Sequence, residues 1–167
     1  MSRAVKRVFQ KLVQFICTKD KSPVFEIYTD GSWKAGRGAW AYVQVKNGQI
    51  TKEDSGPARK TNCTRMEFQA AIEALRSLPL GTKATLYSDS RILVDTMTLW
   101  LSDWKQNGWL KKTGQEIPSV DQIKILDSLN EQHSISWRWV RAHAGVVFNE
   151  RCDQLCIQAR TQAKQSP

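Results

Sequence analysis

The sequence predicts a mixed α/β domain, and three observations carry that prediction. Two β-rich runs, VFEIYTD from Val24 and GAWAYVQV from Gly38, are joined by the turn-like GSWKAGRG, and Asn47-Gly48 before ITKEDSG is a strong hairpin signal, so three consecutive antiparallel strands come first. Amphipathic helical patterns then alternate with short strands along the rest of the chain, the order expected when helices cover a sheet. At 167 residues the chain is long enough to bury one core and short for two, so one domain plus a tail is expected.

Residues 1–23 read as an N-terminal extension and linker. Val5, Val8, Phe9, Leu12, Val13 and Ile16 recur at three-to-four spacing among basic residues, the pattern of an amphipathic basic helix, and Lys19 to Pro23 links it to a domain at residues 24–163. After the three strands, Thr64 is placed to cap a helix through TRMEFQAAIEALRSL, with Glu67 three residues on completing a capping box, and Pro79 and Gly81 end it. Ala84 to Ser88 is a short strand, and Ser90 caps a helix in RILVDTMTLWL. A polar, basic, tryptophan-studded stretch, SDWKQNGWLKKTGQEIP, precedes another amphipathic helix in SVDQIKILDSLNEQ. SISWRWVRA alternates as the last strand, HAGVVF is a loop, and Asn149 caps a closing helix to about Ala163, leaving residues 164–167 as a tail.

Composition narrows the function classes. With 41% hydrophobic and 25% charged residues, no stretch approaches the roughly 18 consecutive apolar residues of a membrane span, so no membrane partner and a cytoplasmic location are expected. Lys and Arg outnumber Asp and Glu 25 to 16, and a surplus of +9 favours a polyanionic partner such as nucleic acid. Over half of it sits in the first 23 residues, where six cations face Asp20 alone. Cys17, Cys63, Cys152 and Cys156 form no CxxC pair, which argues against a thiolate metal site; Cys152 and Cys156 lie one helical turn apart beside Leu155, Ala159 and Ala163, as buried reduced thiols would.

Four carboxylates stand out. Asp30 ends a β-rich run before Gly31, and Asp89 ends the strand TLYSD; the carboxyl ends of strands in open α/β sheets are where ligands bind. Glu67 opens a stripe of small residues, Ala70, Ala71 and Ala74, suited to packing on a sheet, and a carboxylate so placed needs a cation or a donor. Asp153 sits in the first turn of the last helix, one residue from Cys152 on its apolar face. Singly, each also has an ordinary role: Asp30 as a turn residue, Glu67 as a capping partner, Asp89 as a loop residue before a cap, Asp153 as compensation for a helix dipole.

In combination, YTDGS at 28–32, TRMEFQAAIEAL at 64–75, YSDSRILVD at 87–95, and AHAG at 142–145 followed by NERCDQL at 149–155 resemble the successive motifs of type 1 ribonuclease H, in order and without large gaps from about Phe25 to Ala163. The resemblance implies a ribonuclease H-like mixed five-stranded sheet flanked by helices, and an endonuclease that hydrolyses the RNA strand of an RNA/DNA hybrid, leaving 3′-hydroxyl and 5′-phosphate ends. It implies Asp30, Glu67, Asp89 and Asp153 as holders of two Mg²⁺ or Mn²⁺ ions, hard cations suited to oxygen ligands. By the family pattern Asp30 bridges both ions, Asp153 helps hold the ion that activates water, and Glu67 and Asp89 hold the ion at the leaving oxygen. His143 matches a loop histidine that assists proton traffic or product release.

For the substrate, the resemblance implies contacts from Asn62, Cys63, Thr64 and Arg65 before Glu67, from Ser119, and from a basic protrusion carrying Trp100, Lys105, Lys111 and Lys112; Trp104 and Trp109 also suit packing. Departures from the bacterial pattern are Cys63 where an amide is common, Ser119 where an asparagine is common, and Val146-Val147-Phe148 where relatives are polar or carry proline. A monomer acting without base-sequence preference is expected. The competing reading is a non-catalytic hybrid-binding module on the same fold, and the intact set of four acids with His143 favours the enzyme.

Overall fold

The computed structural model describes residues 25–162; the expected basic helix within residues 1–23 and the tail at 164–167 lie outside the described residues. Strands β1 (Phe25–Lys34), β2 (Arg37–Lys46) and β3 (Gln49–Arg59) form an antiparallel meander, followed by helix α1 (Cys63–Arg76) and strand β4 (Lys83–Ser88). A composite helix comes next: α2 (Arg91–Asp95), a π-helical turn (Thr96–Trp100) and α3 (Leu101–Gln106). Helix α4 (Val120–Glu131), strand β5 (Ser134–Trp139) and helix α5 (Val147–Gln162) complete the chain. The strand order is β3-β2-β1-β4-β5, with β4 parallel to both β1 and β5, so the mixed five-stranded sheet expected from the sequence is present.

Side-chain alternation splits the core in two. Ile27, Tyr42, Phe68, Ile72, Leu75, Leu86, Leu93 and Leu126 pack between the sheet and the layer containing α1 and α4. Tyr28, Ala41, Val43 and Val45 face the other way, onto Cys152, Leu155, Cys156 and Ala159 of α5. The hairpin at Asn47-Gly48 adopts positive φ at both residues, 53° and 76°, as a tight type I′ connection requires. Cys152 and Cys156 are buried free thiols, as their apolar setting suggested.

Several local expectations are corrected. β1 does not stop at Asp30 but runs on to Lys34, because the turn-like GSWKAGRG is two strands joined at Ala35-Gly36. The cap of α1 is Asn62, whose side chain accepts from the Arg65 N–H at 2.9 Å, and not Thr64, which already lies inside the helix. Glu67 is therefore no capping partner. Asn149 is likewise inside α5, which begins two residues earlier, so its amide is released for another task. Ser90 does cap α2, accepting from the Leu93 N–H at 3.4 Å. The polar stretch after Leu101 opens as helix α3 before turning irregular.

Candidate active site

The parallel ladder between β1 and β4 ends at the pair Thr29 and Ser88, so Asp30 and Asp89 are the next residues on two adjacent strands at the same end of the sheet. Helix α1 supplies the third carboxylate through a close approach. A Cβ on Gly31 would run into the backbone of Met66 and Glu67, so only glycine lets the helix lie against β1. The fourth candidate lies on α5, which is pinned to β1 by the thiols of Cys152 and Cys156, donating to the carbonyls of Tyr28 at 3.3 Å and Asp30 at 3.4 Å. Asp153 follows Cys152 directly.

Asp30, Glu67 and Asp89 each offer an oxygen, and these all lie within 4.8 Å of one another. Asp30 is 8% exposed and Glu67 7% exposed. Burial first, then the charges of Asp89 and Asp153, push the Asp30 carboxyl up to about 6. Burial, reinforced by Asp30 and Asp89, holds Glu67 well above the usual carboxylate range, and its Oε2 has no hydrogen-bond partner. Among the described residues no Lys or Arg forms an ion pair with any of the four acids. Clustered carboxylates with an unpartnered buried oxygen and no neutralising cation fit divalent ions bound through hard oxygen ligands.

Two residues that the sequence did not single out for the site hold Asp89. Asn149 Nδ2 donates to Asp89 Oδ2 at 3.1 Å from a side chain only 3% exposed. Trp139 Nε1 donates to the Asp89 carbonyl at 2.9 Å, and the Arg91 guanidinium sits 4.1 Å above the Trp139 ring. Asn149 lay within NERCDQL, but its polar side chain near a helix start read as a cap; Trp139 carried no local signal.

His143 is exposed in the loop between β5 and α5, in the left-handed region at φ 51°. The apolar residues beyond Gly145 anchor the loop where it enters α5: Val146 and Phe148 pack on the cluster around Tyr28, with Phe148 5.3 Å from the Tyr28 ring, while Val147 stays 70% exposed.

The remaining substrate candidates divide by what they already touch. Asn62 and Cys63 are exposed at the start of α1 and Thr64 is half-buried, with the Cys63 thiol 3.7 Å from the Gly31 carbonyl. Arg65 is engaged: its guanidinium donates to both carboxylate oxygens of Asp121 at 2.9 and 2.7 Å. Lys105 is held by Asp127 and Glu131, at 2.7 and 2.8 Å. Lys112 reaches Asp103 only at 3.4 Å and is 87% exposed. Trp100, 38% exposed, and Lys111 help line an apolar cleft of about 240 Å³ beside Trp104. Trp104 and Trp109 pack on the main core. Ser119 precedes α4 at φ 57° with no capping bond from its side chain.

Known proteins agree with this architecture. The RNase H family profile matches residues 22–161. A ribonuclease H from Hahella chejuensis is 42% identical over 132 residues, spanning 78% of this chain and 88% of that protein. In three dimensions the chain superposes on LC9-RNase H1, a type 1 RNase H with the type 2 active-site motif, with a TM-score of 0.74 and 28% identity over 84% of this chain and 73% of that one. It shares its fold with LC11-RNase H1, solved in complex with an RNA/DNA hybrid, at a TM-score of 0.66 and 18% identity over 84% of this chain and 99% of that one. With a family profile over most of its length and a relative of that identity and coverage, the chain belongs to the ribonuclease H family.

Proposed function

We propose that Asp30, Glu67, Asp89 and Asp153 form the two-metal centre of an endoribonuclease that hydrolyses the RNA strand of RNA/DNA hybrids, leaving 3′-hydroxyl and 5′-phosphate ends. The observation that carries this reading is the oxygen cluster of Asp30, Glu67 and Asp89 within 4.8 Å, with its unpartnered Glu67 oxygen and, among the described residues, no Lys or Arg ion-paired to it. Asp30 feels the charge of both Asp89 and Asp153, and by the family resemblance it would be the residue shared by two ions. Glu67 and Asp89 would complete one ion's set and Asp153 the other's. Divalent cations held by these carboxylates would supply activation of the attacking water and stabilisation of the leaving oxygen in an in-line displacement. Mg²⁺ is the proposed resident ion, with Mn²⁺ able to replace it.

The chain's own residues orient and hold. Asn149 and Trp139 fix the carboxylate and the backbone of Asp89, which limits its freedom to rotate away from the cluster. Gly31 sets the depth at which Glu67 enters the site. His143, exposed on the loop preceding α5, is the proposed proton carrier between solvent and leaving product rather than a metal ligand. Among the substrate candidates, Lys111, Lys112, Trp100, Asn62, Cys63, Thr64 and Ser119 are the side chains free of tight ion pairs, whereas Arg65 and Lys105 would have to leave their carboxylates to reach a phosphate. We place the protein in the cytoplasm as a monomer; no helix among the described residues is long and apolar enough to cross a membrane.

A gel assay with labelled RNA/DNA hybrid, double-stranded DNA and double-stranded RNA, each with and without Mg²⁺, tests the reading. Cleavage of the RNA strand of the hybrid alone, dependent on metal, is expected. Tight hybrid binding without cleavage at any metal concentration would favour the non-catalytic module instead.

A further inference from the structure

A second charged feature lies away from the carboxylates, on the α5 side of the sheet. The tight turn at Ala35-Gly36, with φ of 50° and 77°, sets Lys34 directly opposite Arg37, and Arg37 in turn sits directly opposite Arg59 on β3. Three cations thus stand in register across three strands, an arrangement in which like charges repel. Arg160 from the last turn of α5 joins them, and Lys34, Arg37 and Arg160 with Ile157 and Thr161 line a cleft of about 260 Å³. Among the described residues no carboxylate forms an ion pair with Lys34, Arg37, Arg59 or Arg160. Some surface cations of this chain are neutralised from within it, as Arg65 with Asp121 and Arg151 with Glu53 illustrate. A basic cleft left unneutralised is built for an anion from outside the chain.

Its place relative to the carboxylates is fixed by two rulers. Lys34 is four residues beyond Asp30 on the same strand and the same side of the sheet, about 13 Å along β1 at the rise of an extended chain. Arg160 is seven residues beyond Asp153 on the same face of α5, about 10 Å at the rise of an α-helix. Were that separation spanned along the axis of a bound duplex, about 10 to 13 Å would correspond to about three to four phosphates of one strand.

We propose that this cleft between the β1–β2 hairpin and the end of α5 is a second phosphate-binding site, which grips the backbone of the hybrid about three to four nucleotides from the scissile bond. The proposal rests on the reading of the chain as a hybrid-cleaving ribonuclease H. The site recognises charge and carries no base preference, so its effect is on affinity and register along the duplex.

The test combines a Lys34→Gln/Arg37→Gln/Arg160→Gln variant with hybrids carrying one neutral methylphosphonate linkage, moved stepwise along each strand. Thermal melting checks the fold, and the Lys34→Gln/Arg160→Gln pair, which leaves β2 untouched, serves if the triple variant is unfolded. Wild-type protein should lose roughly tenfold in hybrid affinity when the neutral linkage falls about three to four nucleotides from the cut, the size expected for one charge-assisted hydrogen bond. The variant should be insensitive at that linkage, and its slope of log affinity against log salt should be shallower by about 0.7 to 0.9 for each phosphate it no longer neutralises. A variant with the wild-type slope and the wild-type methylphosphonate profile would overturn the proposal while leaving the activity intact. Wild-type protein that neither binds nor cleaves hybrid would instead overturn the reading of function beneath it.

Discussion

Replacing Asp30 by Asn should stabilise the metal-free protein. Folding raises the Asp30 carboxyl from 3.8 to about 6 through burial and the charges of Asp89 and Asp153. A shift of roughly two units at about 1.4 kcal/mol each means that the ionised group opposes folding by about 3 kcal/mol at neutral pH. The sign is unambiguous: a carboxyl whose folded value lies above its unfolded one binds protons more tightly in the native state, so this contribution is harmless below about pH 4, and stability is lost as pH rises through about 6. An amide in the same place removes the charge and keeps the shape. For a domain of this size the gain corresponds to a melting temperature higher by roughly 6 to 12 °C in chelator above about pH 7. At about pH 4 the two proteins should melt nearly together. Mg²⁺ should then raise the wild-type melting temperature, by an amount worth about 2.7 kcal/mol at a hundredfold excess over its dissociation constant, and do little for Asp30→Asn. Calorimetry with and without chelator reads all of this. A metal-free Asp30→Asn that melts at or below wild type would show that the buried, ionised Asp30 carboxyl does not oppose folding.

Gly31→Ala should cost at least about 1 to 3 kcal/mol and most of the activity, because its methyl meets the backbone of Met66 and Glu67; a variant with wild-type melting and turnover would contradict that close approach. His143→Ala should slow cleavage about 10² to 10⁴-fold with Mg²⁺ still required, and complete inactivity of a folded variant would mean that the exposed imidazole does more than move a proton. Trp139→Phe removes the bond to the Asp89 carbonyl, worth about 1 kcal/mol, and should lower turnover several-fold with hybrid affinity nearly unchanged; equal reductions in both would point to substrate binding instead. Lys112→Ala should flatten the salt dependence of binding by about 0.7 to 0.9, and Lys105→Ala by less because Asp127 and Glu131 already hold it; the reverse order in a salt titration would contradict this ranking.

What was legible in the sequence depended on how local the cause was. The Asn47-Gly48 hairpin, the helical face of Phe68, Ile72 and Leu75, and the Ser90 cap each depend on neighbours a few residues away, and each is present. The fold was readable because four motifs stand in order, and the same motifs supplied the candidate acids, of which the structure gathers Asp30, Glu67 and Asp89. Elements that failed did so where tertiary packing overrode local chemistry. Gly31 looked like a turn residue, yet it sits mid-strand to admit a helix from much further along the chain. Asn62 took the capping role from Thr64, a shift of two residues that pattern alone does not resolve. Arg65 pairs with a residue 56 positions away, Asn149 reaches back 60 residues to Asp89, and Trp139 50 residues. No periodicity encodes such pairings.

The most direct test of the metal centre is single-turnover cleavage of an end-labelled RNA/DNA hybrid by wild-type and Asp30→Asn protein, followed across a range of Mg²⁺ concentrations with hybrid binding measured in parallel. Wild-type protein should cut the RNA strand in a metal-dependent manner, while Asp30→Asn should bind the hybrid and leave it intact at every Mg²⁺ concentration. Cleavage by Asp30→Asn at the wild-type rate would contradict the assignment of the carboxylate cluster as the catalytic site.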